Sequence, residues 1–257
     1  MKRSVTLKLL LVLYIFSTVA PVLATYVDVY SETTTDSRTD NPVTFNRLQW
    51  QFVDYSVINR PGQAYIGTGF TKDDRSSGDV VYNDNYAFIT GGLKLSLTNS
   101  LSSFVEYRKV MDELGGETTK STNDYRGGFY LFYRDDSTSS ANFHEHYSEM
   151  VFSNRQSQDL FWMGRSRVGY TKNMTGPFFG EVMLQGKVKI DRLGHYYENL
   201  AEVGPAARLR WLTQHYSVEL VSSYAQGQYL GREYIDPMPE NKSYRNLSGV
   251  LVFYGSF

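Results

Sequence analysis

No cysteine occurs in the 257 residues, so disulfides have no part in holding this fold together. Past residue 24 no apolar run approaches the ~20 residues that a membrane-spanning helix needs. The mean hydropathy of −0.39 is likewise too polar for a helical membrane protein. A net charge of −1 gives no electrostatic basis for binding nucleic acid. Histidine is rare as well, limited to His144, His146, His195 and His215. Against these shortages stand 21 Tyr and 15 Phe, far more aromatic residues than a soluble domain needs. A transmembrane β-barrel reconciles the two facts. Half of each of its strands faces an aqueous lumen, and aromatic girdles mark its two interfaces.

The pattern is clearest between Phe178 and Trp211. Gly180, Val182, Leu184, Gly186, Val188 and Ile190 alternate with Glu181, Met183, Gln185, Lys187 and Lys189. After a polar break, Ala201, Val203, Pro205, Ala207, Leu209 and Trp211 alternate with Glu202, Gly204, Ala206, Arg208 and Arg210. Successive strand residues point to opposite faces, so each segment has one apolar and one charged surface. Twelve such spans are expected: Thr25–Ser31, Thr44–Tyr55, Gln63–Thr71, Tyr86–Leu97, Leu101–Val110, Tyr125–Arg134, His146–Ser153, Asp159–Thr171, Gly176–Ile190, Leu200–Leu212, Tyr216–Gln226 and Ser243–Phe257. An even number places both termini on the periplasmic side. Loops are then long outside and short inside, apart from a long inner 135–145 and a short outer 154–158. Turns are expected at Arg60-Pro61-Gly62, Gly115-Gly116 and Asn173-Met174-Thr175-Gly176.

Residues 1–24 read as a cleaved secretory signal, with Lys2 and Arg3, an apolar Leu9–Phe16 and Val22-Leu23-Ala24 at the cut. Residues 25–257 then form one all-β domain, an antiparallel up-and-down barrel in the Gram-negative outer membrane, surrounded by lipid and lipopolysaccharide. The closing run Leu247, Gly249, Leu251, Phe253, Gly255, Phe257 resembles the assembly signal of outer-membrane barrels, which implies the barrel-assembly machinery as a partner at Phe257. The reading is of a monomer without a cofactor.

With the apolar parity facing lipid, eleven basic residues point inward: Arg47, Lys94, Arg108, Arg126, Arg134, Arg165, Arg167, Lys187, Lys189, Arg208 and Arg210. Four acids join them, Glu106, Glu181, Glu202 and Glu219. The compensating acids are expected in loops: Asp36, Asp40, Asp73, Asp74, Asp112, Glu113, Glu117, Glu233, Asp236 and Glu240. A low-dielectric wall carrying surplus guanidinium favours anions. The expected function is therefore a channel for anionic solutes, acidic saccharides or an exported polysaccharide, with Tyr130 and Phe161 stacking on sugar rings. Lys187, Lys189, Arg208 and Arg210 are expected as an under-neutralised patch. The alternative is a lumen plugged by internal Arg–Glu pairs, in a barrel acting as scaffold, secretion partner or phage receptor.

Enzymatic chemistry would need a nucleophile beside a base, or a metal-held water. His144-Glu145-His146 near Ser148 has the right residue types, but it lacks the His-x-Ser-Asn-Gly run of outer-membrane phospholipases and reads as a periplasmic turn. No metal ligand set is assigned.

The strand Glu202-Val203-Gly204-Pro205-Ala206-Ala207, followed by Ser217-Val218-Glu219-Leu220, resembles the C-terminal barrels of phage-adsorption and exopolysaccharide-export proteins. That resemblance implies the same barrel fold over roughly the last sixty residues. The long periplasmic repeat domain of those proteins is not matched here. In architecture and basic lumen the chain is also similar to small porins for acidic oligosaccharides.

Overall fold

The computed structural model describes residues 26–36, 41–73, 86–113, 123–136, 141–154, 159–193, 199–230 and 242–256. They form twelve antiparallel strands: β1 (Tyr26–Asp36), β2 (Asn41–Val57), β3 (Arg60–Asp73), β4 (Tyr86–Ser96), β5 (Leu101–Glu113), β6 (Asn123–Asp136), β7 (Asn142–Ser153), β8 (Asp159–Asn173), β9 (Phe178–Asp191), β10 (Leu200–Leu212), β11 (Tyr216–Tyr229) and β12 (Ser243–Ser256). Each strand pairs with its sequence neighbours, and β1 pairs with β12 from Asp28↔Ser256 to Asp36↔Ser248. The sheet is a closed barrel, so it has no edge strand with unpaired backbone groups.

All twelve expected spans are strands. The main departure is β7, which starts at Asn142 rather than His146 and brings Glu145 into the wall. The connection before it shrinks to 137–141, so the exception expected at 135–145 disappears. On the end that carries the termini the connections are 58–59, 97–100, 137–141, 174–177 and 213–215. On the other end they are 37–40, 74–85, 114–122, 154–158, 192–199 and 230–242. Asp36, Asp73, Asp112 and Glu113, expected in loops, belong to β1, β3 and β5. The signal segment, Gly115-Gly116, the remaining loop acids and Phe257 lie outside the described residues.

The outward parity is apolar around the barrel. Ile66, Ile89, Val105, Val168, Val182, Leu184, Val203, Leu209, Leu220 and Leu247 are each between 45% and 62% exposed. An apolar belt of this kind, on eight of the twelve strands, suits hydrocarbon, not water. At the short-turn end Phe178 stacks on Trp211 at 6.1 Å, Trp211 meets Tyr216 at 5.1 Å, and Tyr216 meets Phe253 at 6.3 Å. Tyr107 and Tyr125 pair at 5.2 Å on strands that lead to the opposite end. These rings stand where interfacial girdles stand in transmembrane barrels. No helix among the described residues is long and apolar enough to cross a membrane, so any crossing is made by strands.

Local features explain two sequence signals. Gly204 is required because a Cβ there would sit 2.0 Å from the carbonyl oxygen of Tyr224 on β11. Pro205, which lacks an N–H, follows at the gap in the β10–β11 register between Val203↔Gln226 and Ala206↔Ser223. The turn expected at Arg60-Pro61-Gly62 is instead the two-residue hairpin Ile58-Asn59, and those three residues belong to β3. Both turn residues have positive φ, 49° and 60°, the backbone of a type I′ turn whose twist matches the strands it joins. A β-branched residue pays a steric cost there, and Ile58 is 91% exposed with little packing to lose. Ile58→Asn should raise the stability of the detergent-folded barrel by about 1 kcal/mol, read as a higher urea midpoint; an unchanged or lower midpoint contradicts the turn assignment.

Candidate functional site

The lumen wall is built by the second parity of each strand, and all eleven expected basic residues lie on it. So do Glu106, Glu181, Glu202 and Glu219, as the paired registers require. The expected surplus of base over acid does not hold. Asp28 and Glu32 on β1, Asp54 on β2, Asp124 on β6, Glu145 and Glu149 on β7, Asp159 on β8 and Asp191 on β9 share the inward face. Among the described residues the inward wall thus carries eleven basic and twelve acidic side chains. Asp54 is turned inward by the bulge between Gln51 and Val53, and Asp124 and Asp191 lie just beyond the expected spans. Two causes hid the acids of β1 and β7. In β7 the outward face carries His144, His146 and Ser148 beside Met150 and Phe152, which blurs the alternation. Much of the outward face of β1 is Ser31, Thr33 and Thr35.

One ionic cluster centres on Glu106 of β5. Arg108 Nε donates to it at 2.5 Å, Tyr65 Oη donates at 2.9 Å, and Arg126 and Arg47 stand at 3.7 and 3.8 Å. The Arg108 guanidinium also lies over the Phe88 ring at 4.5 Å. Asp124 accepts from Ser153 Oγ at 2.7 Å and faces Arg126 at 3.8 Å.

A second cluster joins six strands nearer the short-turn end. Glu145 accepts from Arg134 at 3.0 Å, from Arg167 at 2.9 Å and from Arg208 at 2.9 Å. Glu181 accepts from Arg134 at 2.8 Å and from Arg208 Nε at 2.6 Å, with Arg210 at 3.2 Å. Glu219 lies 3.5 Å from Arg208. Arg208 of β10 therefore reaches three strands back to β7, which only the curvature of the closed wall permits. The side chains of Glu145 and Glu181 are 5% and 0% exposed. Buried charges of this kind are tolerable because each has several charge-assisted partners.

The patch expected at Lys187, Lys189, Arg208 and Arg210 is not bare. Lys187 meets Glu202 at 2.5 Å, and Glu202 also accepts from Tyr244 and Asn246 at 3.1 and 3.0 Å. Glu202 and Glu181 stand directly across the strand boundary from Lys187 and Arg208. Lys94 lies over the Tyr130 ring at 5.1 Å, and Lys189 over the Phe161 ring at 5.6 Å. Both expected stacking rings therefore already carry a cation.

His144, Glu145 and His146 do not converge. The pleat turns Glu145 into the lumen and both histidines outward, where His146 Nδ1 shares a hydrogen bond with Ser166 Oγ at 2.8 Å. Among the described residues no cluster of three or more His, Cys, Asp or Glu could hold a metal ion.

Glu181→Gln should cost about 3–5 kcal/mol of stability, because Arg208 and Arg210 lose a buried partner. Glu219→Gln, whose carboxylate is 24% exposed, should cost under about 1 kcal/mol. Urea unfolding of the detergent-folded barrel measures both, and equal small effects would contradict the hub role of Glu181.

No protein-family model matches this sequence, and no curated protein matches it. Among solved structures the barrel is similar to the β-domain of the Bordetella autotransporter BrkA, with a TM-score of 0.44 and 15% identity over 90% of this chain and 98% of that one. It is also similar to the porin KdgM, solved in complex with disordered oligogalacturonate, with a TM-score of 0.37 and 8% identity over 90% and 99%. For the porin NanC the values are 0.38 and 10%, over 88% and 98%.

Proposed function

We propose that this chain is an outer-membrane channel for anionic, saccharide-like solutes. The observation that carries the reading is an asymmetry of burial within the ion pairs. The carboxylates sit against the wall: Glu106 is 2% exposed, Glu145 5%, Glu181 0% and Glu202 5%. The cations reach further into the lumen, with Arg47 at 26%, Arg126 at 23% and Lys187 at 20%. At the Glu106 and Glu202 pairs a solute in the lumen meets guanidinium and ammonium before it meets carboxylate, whereas Glu219 at 24% is more exposed than its partner Arg208 at 3%. In a confined, low-dielectric passage the nearest layer of charge dominates the barrier for an ion. Tyr130 and Phe161 add apolar ring faces beside Lys94 and Lys189, a combination suited to a sugar acid.

A specific observation favours a second reading, a closed barrel serving as scaffold, secretion partner or surface receptor. Arg134, Arg167 and Arg208 with Glu145 and Glu181 are all 9% exposed or less, which is the packing of a plug.

Planar bilayers separate the two. The channel reading predicts discrete conductance and a reversal potential on the anion side of zero under a KCl gradient. Arg47→Gln combined with Arg126→Gln should move that potential toward zero. Lys172→Gln, on the outward face, should not. An absence of conductance, or a cation preference, would sink the anion-channel reading.

A further inference from the structure

Seven of the eight inward arginines are in ion pairs: Arg47, Arg108, Arg126, Arg134, Arg167, Arg208 and Arg210. Arg165 is the exception. It has no carboxylate within 4.0 Å among the described residues, and its Nε is buried without a hydrogen-bond partner. Its guanidinium is held over the Tyr147 ring at 5.8 Å. The residue directly across on β9 is Lys187, which Glu202 already engages. Leaving a lumen guanidinium unpaired is costly unless water or a ligand takes that place.

Its surroundings are built from opposite walls. Strands β1 and β7 are six places apart in the closed order of twelve, so they face each other across the lumen. Near the middle of β1, Tyr30 donates a hydrogen bond to Glu32, and Thr34 donates to the same carboxylate at 3.0 Å. Near the middle of β7, Tyr147 donates to Glu149 at 2.6 Å. Tyr30 lies within electrostatic reach of Arg165, Glu149 and Tyr147. Glu145 and Arg167 also act on Arg165, but they are committed to each other at 2.9 Å.

We propose that Arg165, with Tyr147 beside it and Tyr30 on the facing wall, forms a mid-barrel binding site for a single sugar-acid residue. The assignment deepens the channel reading and rests on it. Arg165 supplies the planar fork that matches one carboxylate. Glu32 and Glu149 each keep acceptor capacity beyond the tyrosine hydroxyl they bind, so they take ring hydroxyls. The same two carboxylates repel a ligand of higher charge density. The site therefore prefers one carboxylate on a hydroxylated ring to inorganic phosphate, and prefers it to the neutral sugar.

The experiment is binding of D-glucuronate, D-glucose and inorganic phosphate to the detergent-folded barrel, measured by titration calorimetry, with conductance recorded separately. Wild type should bind glucuronate more tightly than either glucose or phosphate. Arg165→Gln should weaken glucuronate about tenfold or more, the loss of a charge-assisted pair, and leave glucose unchanged. Arg165→Lys should recover part of the loss. The variants remain interpretable because no internal ion pair is broken, and the gel mobility of the folded barrel confirms it. Equal affinity in Arg165→Gln, tighter phosphate than glucuronate, or no glucuronate binding by wild type overturns the site. A non-conducting wild type that binds glucuronate through Arg165 keeps the site and overturns the channel. Conductance without Arg165-dependent binding does the reverse.

Discussion

The pairing of β1 with β12 is the constraint on which everything else depends. Once that last ladder closes, no strand presents unpaired N–H and C=O groups to the surroundings, and the wall is compatible with hydrocarbon. Closure also divides every strand residue between two solvents. Most valine and leucine side chains take the outside, and most charged side chains of the mid-strand positions take the lumen. The lumen is narrow, so those charges are brought within bonding distance of one another.

Confinement explains the form of the interior. Seven of the eleven inward bases condense around Glu106 and around the Glu145–Glu181 pair. Each hub carboxylate is surrounded by two or more guanidinium groups, and its short side chain holds it to the wall. The longer arginine and lysine side chains project past it. At Glu106 and Glu202 side-chain length thus sets the anion behind and the cation in front. The proposed selectivity depends on that layering and not on net charge.

The same network also limits the lumen. Arg208 links β10 to both β7 and β9. Contacts of this reach stiffen the barrel and reduce the free cross-section. Arg165 stands apart from the ion-pair network, its guanidinium over the Tyr147 ring.

The sequence by itself determined the strands, their order and the two faces. Alternation is a local property, and hydrogen bonding between sequence neighbours follows from short turns. That is why Phe178–Ile190 and Leu200–Trp211 were legible to within a residue or two, with Lys187, Arg208 and their neighbours placed correctly inward. Where the outward face was polar, as at His144, His146 and Ser148 or at Ser31 and Thr33, the parity signal failed. Glu145, Glu149, Asp28 and Glu32 were lost with it. Only the tertiary structure decided which charges meet. The approach of Glu145 to Arg208, three strands apart, depends on the curvature and diameter of the closed wall. Those are global properties that no strand encodes alone.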